Sequence, residues 1–309
     1  LVNSGTLASA VTNMADFTST GTLLATFINN AGASAELAGN AAQINNFGTL
    51  DIIGDLTGSA GLSNGSAGLV TVQAGTTANI AGLISNNSSS ANAFTINGAL
   101  STSSQFDNNG TSQVLIGATG SLSTVTGLNN AGTLVNNGTI NSIVRNGGTL
   151  TTTGTISQEL INQLGATATV SGNVAQLSNS GTLTLTGTTT GSARLDNFGS
   201  GTVTVDAGAS ASFAGDIFNS GTAANAFTVN GNFSSGGLFI NQSGANLLVG
   251  TTGTLSATNG ITNASGATLV NNGTIASIVN NFGNFTSTGT LQNGLLNGAI
   301  TVTANLSGT

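Results

Sequence analysis

Leu134-Val135-Asn136-Asn137-Gly138-Thr139-Ile140 decides the fold, because the chain writes this stretch three times. It stands as Leu1-Val2-Asn3-Ser4-Gly5-Thr6-Leu7 at an offset of 133 residues, and as Leu269-Val270-Asn271-Asn272-Gly273-Thr274-Ile275 at an offset of 135. The match runs outward from there. Gly39-Asn40 falls on Gly172-Asn173, Gly48-Thr49-Leu50 on Gly181-Thr182-Leu183, and Ala91-Asn92-Ala93-Phe94-Thr95-Ile96-Asn97-Gly98 on Ala224-Asn225-Ala226-Phe227-Thr228-Val229-Asn230-Gly231. The register slips by two between Ala264 and Thr268. The chain holds copies over 1–133 and 134–268 and a partial third over 269–309. Self-similarity at a fixed period signals a repeat architecture.

A shorter period runs inside each copy. The phrase Asn-x-Gly-Thr-Leu/Ile occurs at 3–7, 46–50, 130–134, 136–140, 146–150, 179–183 and 271–275. Coil starts at Thr133, Thr149, Thr167, Thr182, Thr202, Ala226, Asn246 and Thr268 are separated by 16, 18, 15, 20, 24, 20 and 22 residues, about 19 on average. Within a coil, Thr182-Leu183-Thr184-Leu185-Thr186 alternates apolar and hydroxyl residues, the pattern of a half-buried strand. Ser157–Leu164 alone reads as a short helix, but its counterpart, Leu24–Ala31, favours strand or turn, so the pair is read as strand.

A unit this short cannot bury a core alone. Stacked on its neighbours it can, each strand pairing with the equivalent strand above and below. The expectation is an all-β fold: a parallel, right-handed β-helix, one continuous solenoid over 1–309, with roughly 16 coils rising ~4.8 Å each. A string of small β-sandwiches is the alternative, and it rarely repeats one phrase at so short a period. Leu, Ile, Val and Phe should form inward ladders, with Phe17, Leu150 and Phe285 at one equivalent position. Asn should stack into amide ladders. Asn-Gly steps at Asn64, Asn97, Asn137, Asn230, Asn272 and Asn297 are expected to supply positive φ at turns.

Composition fits this reading. Pro is absent, and Pro would remove a ladder hydrogen bond in nearly any doubly paired strand. Only 2 residues are basic and 9 acidic, a net charge of −7. Equal charges stacked about 5 Å apart would repel along the whole array. The same composition excludes much chemistry. Without His or Cys there is no Ser-His-Asp triad, no Cys-His pair, no ordinary zinc site and no disulfide. Two Arg residues make no phosphate-binding patch, so nucleic acid is not an expected partner. No apolar run reaches the roughly 18 residues of a membrane helix. No signal peptide is legible, and a chain starting at Leu1 reads as a piece of a longer protein.

A site carried by the repeat should recur, and none of the eleven charges recurs as a charge. Asp51 and Asp55 fall on Thr184 and Thr188, Glu36 on Thr169, Arg145 on Thr12 and Asn280, and Arg194 and Asp196 on Gly61 and Ser63. Asp51 with Asp55 is the closest acid pair, the only arrangement resembling the paired carboxylates of glycan-cleaving enzymes. Arg145 with Glu159, and Arg194 with Asp196, are possible surface ion pairs worth about 0–1 kcal/mol each. The reading is that the chain is not an enzyme: no catalytic residue, no cofactor-binding residue, no metal ligand and no cofactor is assigned. Thr-x-Thr at 182–186 and 202–204 could order water on a flat face, but coil lengths of 15 to 24 are expected to break such rows.

The Asn-x-Gly-Thr-Leu/Ile phrase, the Gly/Asn/Thr/Ser background and the missing Cys resemble the repetitive β-helical passengers of bacterial autotransporters and filamentous-haemagglutinin-like adhesins. That resemblance spans the chain as a repeat style and transfers no functional residue. It implies an extracellular or cell-surface location and either adhesion or fibre formation. Two roles follow as expectations. The first is a secreted structural solenoid, self-associating into a fibre, sheath or spacer. The second is a surface adhesin meeting cell-surface or matrix components, which should show a recessed or apolar patch near its longer coils at 202–268.

Overall fold

The computed structural model describes residues 1–298 and the backbone of 304–306. The chain falls into two compact units, Leu1–Gln158 and Glu159–Thr309. Each is a parallel β-solenoid. The described residues contain no helix; of the segment Ser157–Leu164, residues Ser157–Asn162 lie in the strand Thr155–Asn162 and Gln163 and Leu164 lead into the turn after it.

A coil has three strand faces, two of which run together in some coils, as in Ser34–Ala41 and Thr49–Gly58, and each face pairs in parallel with its equivalent one coil on. In the second unit the first face stacks Thr167–Val170, Thr182–Leu185, Thr202–Val205, Phe227–Val229, Asn246–Val249, Thr268–Asn271 and Asn284–Ser287. The registers Thr167↔Thr182, Thr182↔Thr202 and Asn246↔Thr268 reproduce the coil starts read from the repeat phrase. Extra residues therefore lie in the turns and leave register intact. This corrects the expectation that unequal coils break the Thr-x-Thr rows. Thr169, Thr184, Thr204 and Thr228 are stacked in register although their coils differ by up to nine residues.

Alternation puts the core where period 2 demands. Thr202–Val205 buries Val203 and Val205 and leaves its threonines half-exposed. Phe17, Leu150 and Phe285 are all buried, as their shared position requires. One coil places a phenylalanine on each face: Phe227, Phe233 and Phe239, with ring centroids 5.0–6.1 Å apart. The equivalent coil of the first copy has Phe94, Leu100 and Phe106, with its two rings 5.1 Å apart. Neighbouring coils compensate for bulk. A Cβ on Gly58 would meet Ile80 at 2.6 Å, and one on the equivalent Gly191 would meet the larger Phe213 at 2.1 Å.

The third face carries the pattern apolar-x-Asn, and its Asn side chains form the expected ladder. In the first unit Asn13, Asn29, Asn46, Asn64, Asn86, Asn108, Asn130 and Asn146 each pass an amide Nδ2–H to the next Oδ1 at 2.7–2.9 Å. In the second, Asn162, Asn179, Asn197, Asn219, Asn241, Asn263, Asn281 and Asn297 do the same. Most of these amides also donate to backbone carbonyls that close the turns, as Asn197 does to Gly201 and Ala226.

The Asn-Gly steps work differently from expectation. None of the asparagines or glycines of the six steps named above has positive φ, whereas Gly110, Gly260 and Gly294, which follow Asn109, Asn259 and Asn293, do. Among the described residues the non-Gly positive φ values belong to Ser66 and Asn92, and glycines such as Gly75, Gly165 and Gly208 supply the rest. The glycines of four steps are needed for close approach instead. A Cβ on Gly98, Gly138, Gly231 or Gly273 would lie 2.2–2.3 Å from a carbonyl oxygen of the preceding coil.

Candidate functional site

Five acids are tied into the coil that follows each of them, whereas Glu36 accepts from the Thr18 hydroxyl of the preceding coil at 3.3 Å. Asp51 Oδ1 accepts from Gln73 Nε2 at 3.1 Å, and Asp55 Oδ1 accepts from the Thr77 amide at 3.2 Å. Asp107 Oδ1 accepts from Asn129 at 2.9 Å, and Asp216 Oδ1 from the Leu238 amide at 2.8 Å. Glu159 accepts from Gln176 at 3.3 Å and from Ser178 at 2.5 Å. Neutral donors thus answer charges that another copy replaces with uncharged residues.

Arg194 Nε and Asp196 Oδ2 form an ion pair at 2.8 Å, as their position on one side of a strand suggested. Burial pushes the Asp196 carboxyl above its ordinary range. Arg194 opposes the shift and the Glu159 charge adds to it. Asp196 lies in register with the large apolar Phe218 of the next coil. Arg145, in the first unit, donates from Nη1 to the Thr126 carbonyl at 3.2 Å. No group of three or more acidic, His or Cys side chains able to hold a metal occurs among the described residues.

Three features escaped the sequence reading. Glu36 and Asp51 are in-register neighbours on adjacent strands. Carrying the coil starts back by 133 residues would have paired them. The second feature is a polar pair inside an otherwise apolar column: Asn3 with Ser19, Asn136 with Thr152, and Asn271 with Ser287, each joined at 3.0 Å. This pair recurs once per copy, and the Oδ1 atoms of Asn136 and Asn271 are buried without a hydrogen-bond partner.

The third is an open groove of about 840 Å³ in the second unit, running from Ser212 to Leu296. Its floor is the stack Ser212, Ser234 and Ser256, in register over three coils, with Ala276 following in the next coil. Inward residues beside this stack shrink from Phe213 to Ser235 to Ala257, which recesses the wall. Asn259, Asn280 and Asn293 supply amides, Ile278 and Leu296 supply apolar surface, and no lining residue is charged.

The described residues thus place the chain among β-solenoid repeat proteins. Compared with protein-family models, curated proteins and solved structures, it matches none of them. No helix among the described residues is long and apolar enough to cross a membrane.

Proposed function

We propose that this chain is a structural β-solenoid of an extracellular or cell-surface assembly, acting as a fibre, sheath or spacer through self-association. The single observation that carries the reading is the coil-to-coil ladder, buried Asn joined to buried Asn, which persists through coils of 15 to 24 residues. Such a structure derives its stability from nearest-neighbour stacking and needs no closed globular core. The near-absence of charge removes most of the repulsion that opposes close lateral packing. The repeat style shared with autotransporter passengers and filamentous-haemagglutinin-like adhesins agrees with that role. No catalytic step is part of this reading. Electron microscopy of the purified chain at moderate dilution tests it: uniform filaments or laterally bundled assemblies are expected, and particles that never associate at any concentration would overturn self-association.

A second reading, a surface adhesin, is favoured by one observation. The recessed groove lies in the region of longer coils where an adhesin should present a distinct face. Saturable binding of the labelled chain to whole cells tests that reading, and absence of binding would remove it.

A further inference from the structure

We infer that the groove between Ser212 and Leu296 is a binding site for an uncharged glycan chain. The inference rests on the adhesin reading for its biological setting, and its chemistry comes from a comparison between the internal copies.

Both copies contain the same three-face coil, but they differ in what their polar side chains do. In the first unit these groups satisfy one another. Ser101, equivalent to Ser234, donates to Asn79, equivalent to Ser212, at 2.6 Å. Ser123, equivalent to Ser256, accepts from Asn141 at 3.4 Å. Arg145, equivalent to Asn280, reaches across Gly127 to the Thr126 carbonyl. In the second unit the partners have changed. Asn141 has become Ala276, Arg145 has become Asn280, and Val125 has become Thr258. The recess has also deepened, with Thr102 replaced by Ser235 and Thr124 by Ala257.

The substitutions leave the side chains of Ser212, Ser234, Ser256, Asn259 and Asn280 unengaged. No hydrogen bond within the chain is seen for any of the five among the described residues, and all five line the groove. Hydroxyls and carboxamides each donate and accept. A row of them, stepped at the strand spacing of about 4.8 Å, matches a ligand whose own groups also do both and recur along a chain. A polyhydroxyl sugar chain has that property. Ile278 and Leu296 offer apolar surface to the C–H face of a sugar ring, in keeping with sites that combine apolar walls with a few placed polar groups. Because no charged residue lines the groove, it offers no counter-charge to a phosphate, a sulfate or a uronic acid.

The test uses the purified chain and immobilised dextran, mannan and a β-glucan, with heparin as the charged probe and an unstructured neutral peptide as the rival ligand. Saturable retention on at least one neutral polysaccharide is expected, with none on the peptide. Asn280→Arg restores the residue that spans this place in the first unit and should weaken binding at least tenfold. Ser256→Trp fills the groove from an outward position and should do the same. Thermal unfolding of both variants confirms that each is folded, and either alone suffices. Asp55→Asn, in the first unit, should bind as the parent chain does. Failure of the parent chain to bind any of the neutral polysaccharides, equal binding by parent and groove variants, or preferential binding of heparin or peptide would each overturn the inference. Whole-cell binding that survives both groove variants would overturn the groove while leaving the adhesin reading standing. Polysaccharide binding that both variants abolish, without whole-cell binding, would support the groove and remove the adhesin reading.

Discussion

Asn197 illustrates how one residue type holds this fold together. Its amide donates to Gly201 O at 3.0 Å, to Asn219 Oδ1 at 2.9 Å and to Ala226 O at 3.0 Å, while its own Oδ1 accepts from Asn179. Leaving a buried polar group without its partner costs about 1–3 kcal/mol. Asn197→Ala disturbs several at once and should destabilise the second unit by about 3 kcal/mol, read by denaturant unfolding. Asn197→Ser should recover only part of the loss, since a hydroxyl cannot span both neighbours. The sequence disclosed that Asn would stack. It did not disclose which Asn, because the Asn-Gly steps and the ladder positions coincide only at Asn64, Asn146 and Asn297.

Asp196 gives the residue scale its pH dependence. A carboxyl whose native pKa is raised binds its proton more tightly in the native than in the unfolded state. Between the two values stability therefore falls as pH rises, and above both the group is a net cost. Burial is the larger cause and outweighs Arg194. Asp196→Asn should accordingly unfold at the same or a higher temperature than the parent at pH 7. That advantage should shrink as the pH falls through the raised carboxyl value. A variant clearly less stable at pH 7 would mean that the ion pair with Arg194 is the stronger effect.

At the scale of the element, glycine separates into two kinds that composition alone cannot distinguish. Gly208 has φ of +80° and open space around its missing Cβ, so Gly208→Ala costs only the left-handed conformation, about 1–2 kcal/mol. A Cβ on Gly253 would lie 2.0 Å from the Val229 carbonyl oxygen of the preceding coil. Gly253→Ala must push two coils apart and should cost more, about 3 kcal/mol, the upper range for overpacking. Thermal unfolding of the two variants should rank them in that order. The strands themselves were legible from period 2. The turn chemistry was not, because close approach between coils depends on partners about 16 to 24 residues away.

At the scale of the whole molecule, each coil touches only its neighbours, so stability is a sum of local steps. Hydrogen exchange on Asn197→Ala should report this directly. Amides in coils flanking the substitution, around 177–241, should lose protection by tenfold or more, while those of the first unit, such as 84–130, should keep theirs. Uniform loss across the chain would mean one cooperative core instead. The same locality explains how the second copy could lose the side-chain bridges that occupy the first and still keep its strands in register.

The sequence by itself determined the repeat, the short alternating strands, the coil starts and the apolar ladders. These follow from short-range alternation and from copies that can be laid on one another. It also accounted for the missing Pro and the scarcity of charge. The tertiary structure alone decided the unpartnered oxygens of Asn136 and Asn271 and the alignment of the threonine rows across coils of unequal length. It also decided that the second unit opens a groove where Arg145 spans the equivalent place in the first. The physical reason is that turns of different length absorb the sequence offsets while strand pairing fixes the register, so neighbours in space stand at separations that vary from coil to coil.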